Sequence, residues 1–146
     1  MTKIRDKTIQ LLARREHSQV ELARKLAQKG FSQEEISGEF EYLQKHDLQS
    51  DARFAESYVR ARKIVGFGPR RIAVELRSKG VSETLIERFV DENSPEWWEI
   101  MIAVCERRFS KADARDKQFR FLLQRGFMPE AIHRWLRHQK VNSNDE

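Results

Sequence analysis

The sequence predicts an all-α protein made of three tandem three-helix repeats, arranged as an elongated, curved array whose hand is not predicted. Three observations carry this prediction: an internal repeat centred on Gly30, Gly80 and Gly126, no sustained alternation of apolar and polar residues, and only six Gly and three Pro residues in 146. Because alternation would mark half-buried strands, we expect no sheet. The three repeats and a frayed C-terminal tail are assigned to residues 1–49, 50–93, 94–140 and 141–146.

The internal repeat is a five-position pattern that occurs three times without a gap. It reads Leu, two residues, Lys or Arg, Gly, Phe or Val, four residues and Ile, and its copies occupy residues 26–36, 76–86 and 122–132. A basic residue followed by Gly ends a helix, because the cation meets the negative end of the helix dipole and Gly takes the left-handed conformation. Each copy therefore predicts a helix, a tight turn and a second helix, packed together through the repeated Leu and Ile.

Helix-start signals place the remaining elements in order. In the first repeat, a helix over about residues 3–15 precedes Ser18, which fits as an N-cap, and Ser32 forms a capping box with Glu35. The start signals of the second and third repeats are Ser50 or Asp51, Gly68-Pro69, Ser82, Ser94-Pro95-Glu96 and Pro129. Together these signals predict nine helices, three in each repeat.

Positive charge is concentrated in the second repeat. The whole chain has 28 Lys and Arg residues against 23 Asp and Glu residues, a net charge of +5. Residues 60–79 alone hold seven cations and one acid, Glu75. Such a segment is typical of a surface that binds an anionic partner, such as nucleic acid or an acidic protein groove, although a merely solvated face carries the same signature.

Helical phase ranks the cations of this segment. Glu75 lies four residues from both Arg71 and Lys79 and is expected to neutralise them in part. Arg70 and Arg77 lie seven residues apart on one exposed face and lack such a partner, so we expect them to contact the binding partner first. Phe67 lies in a Gly-x-Gly turn, where partner contact and local packing are both open.

The sequence contains no recognisable catalytic or metal-binding arrangement. His133 and His138 are five residues apart, which turns them away from each other on a helix, and Cys105 lies in the most apolar helix, as a small buried hydrophobe would. The glycines at 66–68 lack the preceding strand and the Lys-Ser/Thr pair of a phosphate-binding loop. We therefore expect that the protein is not an enzyme and that it binds neither a metal ion nor a cofactor. The absence of a long apolar run or secretory signal predicts a cytoplasmic protein without a membrane segment.

Three segments resemble the RecX family of regulatory proteins. The first is Ala-Arg-Arg-Glu-His-Ser at residues 13–18, followed by Glu21-Leu22 and Lys25-Leu26. The second consists of Asp51-x-Arg53-Phe54-Ala55, Tyr58, Arg62 and Gly66-Phe67-Gly68-Pro69-x-Arg71-Ile72-x-x-Glu75-Leu76-x-x-Lys79-Gly80, and the third is Phe121-Leu122-Leu123-x-Arg125-Gly126-Phe127. The resemblance covers about residues 8–138. It departs from the family at residues 48–51, where members often carry consecutive acids.

The resemblance implies a bacterial modulator of the RecA recombinase that acts in DNA repair, DNA recombination and the SOS response. Proteins of this family look like curved helical repeats that lodge in the groove of the RecA–DNA filament and inhibit ATP hydrolysis, strand exchange and co-protease activity. We expect a monomer that binds RecA and its filament, with direct DNA binding at most weak. The expected partner-binding residues are Arg62, Lys63, Phe67, Arg70, Arg71, Arg77 and Lys79, with a secondary basic cluster at Arg107, Arg108 and Lys111.

Two other function classes stay open. A direct DNA-binding protein would use one helix of a helix-turn-helix-like pair to read bases, but residues 83–92 hold Arg88 as their single cation. A HEAT- or armadillo-like peptide scaffold has repeats of similar length, but three units would be a short array. In that second case the basic central turn would have no evident purpose.

Overall fold

A computed structural model describes residues 2–144 of the chain, and the side chains of residues 2–139. Within this range the chain forms nine α-helices and no strand, which confirms the predicted all-α class. The helices are α1 (Lys3–Arg14), α2 (Gln19–Gln28), α3 (Gln33–Lys45), α4 (Asp51–Val65), α5 (Pro69–Ser78), α6 (Glu83–Phe89), α7 (Glu96–Arg108), α8 (Arg115–Arg125) and α9 (Pro129–Asn144). The predicted tail overlaps the end of α9, and its residues 145–146 lie outside the described residues.

Each copy of the repeat ends its first helix with the same backbone motif. Gly30, Gly80 and Gly126 have φ values of 94°, 79° and 101°, in the left-handed region that favours glycine. The N–H of the residue after each glycine donates to the carbonyl of the repeated Leu, at 3.2, 3.1 and 3.1 Å respectively. This is the hydrogen bond of a Schellman motif, so the repeated Leu supplies an acceptor to the turn.

The repeated Leu and Ile also form the core, as the pattern predicts. Their exposed fractions are 0% for the three leucines and 4%, 3% and 0% for Ile36, Ile86 and Ile132.

Serine side chains cap the helices that follow. Ser18, Ser32, Ser50 and Ser82 each accept a hydrogen bond from the backbone N–H three residues later, and Glu35 completes the predicted capping box with Ser32.

The chain divides into two compact units. The first unit comprises Met1–Tyr58 and Leu76–Phe89, and the second comprises Val59–Glu75 and Val90–Glu146. One apolar cluster of the first unit is formed by Ile4, Leu22, Leu26, Ile36 and Leu43. The core of the second unit is larger and contains Met101, Val104, Cys105, Leu122, Phe127, Ile132, Trp135 and Leu136. Among the described residues, no helix has the length and apolar character that a membrane span requires.

Candidate functional site

The basic residues predicted to bind a partner fall into two groups, one in each unit. Arg62, Lys63, Phe67, Arg70 and Arg71 belong to the second unit. Arg77 and Lys79, which follow them on and after α5, belong to the first unit. The two groups have different surroundings, because each is built on its own set of neighbouring helices.

In the second unit, three arginines surround the ring of Phe67. The guanidinium carbons of Arg62, Arg71 and Arg125 lie 3.8, 4.3 and 4.6 Å from the centre of that ring. These distances are within the range of cation–π attraction, so Phe67 holds the arginines in place by local packing. We call Phe67 with these three residues the arginine cluster.

Arg125 is the member of the arginine cluster that sequence reasoning missed. It occupies the basic position before Gly126 in the third copy of the repeat, where its expected role was to end a helix. The same position holds Lys29 and Lys79 in the other copies. The change from Lys to Arg is the one signal that could have indicated an additional role, since a guanidinium stacks on aromatic rings more readily than an ammonium group.

Glu75 compensates part of the charge of the arginine cluster. Its carboxylate accepts hydrogen bonds from Arg62 Nε and Nη2 at 3.0 and 2.8 Å, and from Arg71 Nε at 3.5 Å. The contact with Arg71 follows the predicted spacing within α5. The shorter contacts with Arg62 arise from packing between α4 and α5, which no spacing rule within one helix can predict.

Arg70 differs from its neighbours because its charge is exposed. Among the residues that the structure describes, no side chain or carbonyl forms a hydrogen bond or ion pair with its guanidinium. Its backbone is nevertheless fixed, since Arg70 N–H donates to the Gly126 carbonyl at 3.0 Å. Lys63, by contrast, pairs with Glu96 at 2.9 Å and lies 4.9 Å from the Trp97 ring. Arg70 therefore agrees with the sequence prediction of an uncompensated cation.

The glycine-rich turn before α5 is a packing element. Gly68 N–H donates to the Arg125 carbonyl at 2.8 Å, next to the hydrogen bond that Arg70 makes to Gly126. A Cβ atom on Gly68 would lie 2.5 Å from the carbonyl carbon of Gly126. Because these N–H groups are engaged by backbone, the turn is not a phosphate-binding loop. Pro69 is the first residue of α5, as predicted.

In the first unit, the prediction that Arg77 lacks an internal partner is wrong. Arg77 Nε and Nη2 donate to the carboxylate of Glu83 at 2.5 and 3.2 Å. Glu83 is the first residue of α6, and the turn at Gly80 brings it back to the end of α5. Spacing within one helix does not predict this pair, because Glu83 belongs to the next helix.

Lys79 also has a partner from another helix. Its Nζ lies 3.4 Å from Glu21 Oε2, and its carbonyl accepts a hydrogen bond from Ser18 Oγ at 2.7 Å. Glu21 in turn accepts two hydrogen bonds from Arg15, at 3.0 and 2.8 Å. Burial pushes the pKa of Glu21 upwards, but Arg15 and Lys79 outweigh burial and lower that pKa to about 2.

We expect Glu21→Gln to destabilise the protein in a pH-dependent way. Because the pKa of Glu21 is about 2 in the folded state against 4.5 for an unperturbed carboxyl, its ionised form contributes stability that is complete above pH 4.5. That contribution is about 2–3 kcal/mol and disappears as the pH falls towards 2. Urea unfolding of both proteins between pH 7 and pH 2.5 measures the difference. A difference that does not shrink below pH 4.5 would contradict the assignment.

A second group of arginines lies on α7 and α8 of the second unit. A cavity of about 420 Å³, here called the α7–α8 cavity, is lined by Val65, Val104, Arg107, Arg108, Phe121 and Arg125. Arg107 and Arg108 are the predicted secondary cluster, and both are exposed. Lys111, the third predicted member, lies in the turn that follows α7. Arg125 thus contributes to this cavity as well as to the arginine cluster.

The Cys105 thiol, the remaining candidate reactive group, is part of the core. Cys105 is buried at 1% exposure, its thiol donates to Gln118 Oε1 at 3.3 Å, and burial raises its pKa. A buried thiol with a raised pKa is a poor nucleophile. Within the described part of the chain, no group of three or more His, Cys, Asp or Glu side chains could hold a metal ion.

Comparison with known proteins identifies the family. Residues 5–38 match the first three-helix domain of RecX, and residues 50–88 match its second three-helix domain. The chain is 37% identical to the regulatory protein RecX of Legionella pneumophila (strain Corby), over 96% of this chain and 97% of that protein. It is 42% identical to the regulatory protein RecX of Pseudomonas putida (strain GB-1), over 91% and 88% of the two chains.

The fold agrees with these matches. The crystal structure of RecX from Lactobacillus salivarius superposes with a TM-score of 0.79 at 22% identity, covering 95% of this chain and 96% of that chain. The predicted resemblance is therefore confirmed over almost the whole sequence. On the identities to its bacterial relatives and the two matched three-helix domains, the chain belongs to the RecX family of regulatory proteins.

Proposed function

We propose that this protein binds the RecA recombinase and its filament on DNA, and inhibits the ATPase, strand-exchange and co-protease activities of RecA in the cytoplasm. Membership of a family of regulatory proteins supports this proposal, together with the RecA partnership that the resemblance implies. The protein needs no cofactor for this role, because inhibition requires only that it occupies a surface that RecA subunits or DNA must use.

The observation that carries the proposal is the exposed charge of Arg70. A cation whose backbone is held by the hydrogen bond to Gly126 loses little freedom when it binds, which favours a charged partner. Arg62 and Arg71, both in the arginine cluster, share Glu75 between them. The partner groups with matching chemistry are acidic side chains of RecA or phosphates of the DNA in its filament.

Arg70→Glu should weaken inhibition of the DNA-dependent ATPase of RecA by about tenfold, or 1.4 kcal/mol, at low salt. Lys117→Glu is the matched control, because Lys117 is also exposed, belongs to the same unit and gives the same change in net charge. Titration of the ATPase with each protein measures the concentration for half inhibition. The difference in half-inhibition concentration between Arg70→Glu and the unchanged protein should narrow as salt rises, because exposed charges are screened beyond about 8–10 Å near physiological ionic strength.

Two different outcomes would contradict the contact made by Arg70 and the proposed inhibition of RecA. If Arg70→Glu folds normally and inhibits as well as the unchanged protein at low salt, Arg70 is only solvated. If the unchanged protein leaves the RecA ATPase unaffected at equimolar amounts, the proposed function itself is wrong.

A further inference from the structure

The α7–α8 cavity is lined by three guanidinium groups and no carboxylate among the described residues. Arg107 and Arg108 approach it from the end of α7, and Arg125 approaches it from the end of α8. Within the described chain, the guanidinium groups of Arg107 and Arg108 form no hydrogen bond or ion pair. The charge of Arg108 is instead placed over aromatic rings, 4.9 Å from the centre of Phe121 and 5.8 Å from that of Phe109.

Arg125 is the half-buried member of this set, whereas Arg107 and Arg108 are exposed. Its Nη1 atom is buried and has no hydrogen-bond partner among the described residues. Its guanidinium carbon lies 4.6 and 5.1 Å from the ring centres of Phe67 and Phe121, so the group is held between two aromatic side chains. A buried donor is almost always satisfied in a folded protein, and an unsatisfied one indicates a missing partner.

The surroundings of Arg125 concentrate positive charge. Burial lowers its pKa, and the charges of Arg71, Arg107, Arg108 and Arg62 lower it further, while an arginine still remains protonated at neutral pH. The nearby acid Glu75 already accepts hydrogen bonds from Arg62 and Arg71. The charge that lines the α7–α8 cavity is therefore available to an anion from solution.

We propose that the α7–α8 cavity binds a phosphate group, with the guanidinium groups of Arg107, Arg108 and Arg125 that line it as donors. Three arginines match the several oxygens of a phosphate better than the two of a carboxylate. A volume of about 420 Å³ is larger than one phosphate, so the group can belong to a longer molecule. That molecule is either a free polyphosphate or a nucleic-acid strand, which share the same chemistry.

This proposal goes beyond inhibition of RecA, because it requires no RecA. The full-length protein is titrated separately with inorganic pyrophosphate, by calorimetry, and with a labelled single-stranded thymidine oligonucleotide, by fluorescence anisotropy, both at constant ionic strength. Arg107→Gln combined with Arg108→Gln should weaken binding at least tenfold. These residues are exposed, so the double variant should fold normally.

Two further variants sharpen the test. Arg137→Gln is the control, because Arg137 is exposed on α9 of the same unit and its substitution removes a positive charge outside the α7–α8 cavity. This variant should lower affinity less than threefold. Arg125→Lys keeps the charge but removes the forked guanidinium donors, and should also weaken binding about tenfold. Circular dichroism and thermal melting establish that each variant is folded.

The two probes distinguish the source of the phosphate. Tenfold weakening with both probes supports a site for free polyphosphate, and weakening with the oligonucleotide alone supports a site for a strand. The proposal is overturned if neither probe binds at millimolar concentration, or if the double variant and Arg137→Gln lose affinity equally. Because RecA is absent, a failure here leaves the ATPase test of Arg70 unaffected.

Discussion

Gly68→Ala is expected to destabilise the second unit by about 3–5 kcal/mol. A Cβ atom at this position would lie 2.5 Å from the Gly126 carbonyl carbon and 2.6 Å from the Gly126 oxygen and the Phe127 nitrogen. All three are backbone atoms, so no side chain can rotate to relieve the clash. Overpacking costs about 1–3 kcal/mol, and the hydrogen bonds from Gly68 and Arg70 add about 0.5–1.5 kcal/mol each when they break.

Two glycines of the first unit provide comparisons, with unfolding followed by circular dichroism. Gly38 lies within α3 with nothing within 4 Å of an added Cβ, so Gly38→Ala should stabilise the protein by about 0.5–1 kcal/mol. Gly30 has the same open space but a φ of 94°, so Gly30→Ala should cost about 1–2 kcal/mol through backbone strain alone.

Tryptophan fluorescence during urea unfolding is a suitable measurement for Gly68→Ala. All three tryptophans, Trp97, Trp98 and Trp135, belong to the second unit, so the signal reports on the unit that contains Gly68. A Gly68→Ala midpoint equal to that of the unchanged protein would show that the turn does not depend on close approach to Gly126.

Leu76→Ala should cost about 2–5 kcal/mol, because it leaves a cavity at a completely buried site. Leu26→Ala and Leu122→Ala should fall in the same range, since both residues are also 0% exposed at the equivalent position of their repeats. Val74→Ala is the control on α5: Val74 is 60% exposed, and its loss should change the free energy of unfolding by less than about 0.5 kcal/mol.

Urea unfolding followed by circular dichroism compares these four variants. The backbone hydrogen bond that each Leu carbonyl accepts in its turn remains in the alanine variants, so the measured loss reports side-chain packing. A cost below 1 kcal/mol at Leu76 would contradict its role as a core residue shared by the repeats.

Local signals predicted the helices well, because helix ends depend on neighbours in sequence. Ser32 with Glu35 and Gly30 after Lys29 act within a few residues of one another, so their roles are visible without a structure. The buried leucines and isoleucines followed for the same reason, since helical spacing places them on one face.

Residues of the candidate site were harder to predict, because their partners come from other helices. Arg62 meets Glu75 and Arg77 meets Glu83 only after α4, α5 and α6 pack together. The position of Arg125 beside Phe67 depends on tertiary contacts across more than fifty residues of sequence. A charge pattern along the chain identifies which segment is basic, but it cannot determine which cations remain uncompensated.

The turn after Val65 has a local motif that the five-position pattern does not include. Phe67 N–H donates to the Arg62 carbonyl at 3.1 Å and Gly66 has a φ of 103°, so Gly66-Phe67 repeats the backbone motif of the three repeat turns. The five-position pattern has a basic residue directly before the glycine, whereas this copy has Val65. Phe67 is therefore the counterpart of Phe31 and Phe127, with arginines around its ring.

The double use of the repeated leucine constrains how this chain can change in length. Leu76 provides both the acceptor that closes the turn and a side chain that fills the core, so an inserted residue between Leu76 and Gly80 would displace both at once. In all three copies Ile lies ten positions after Leu, whereas the glycines of successive copies lie 50 and 46 positions apart. The spacing is thus constant within the turns and varies between them. Loop grafts or domain insertions in this protein belong in the segments between the turns.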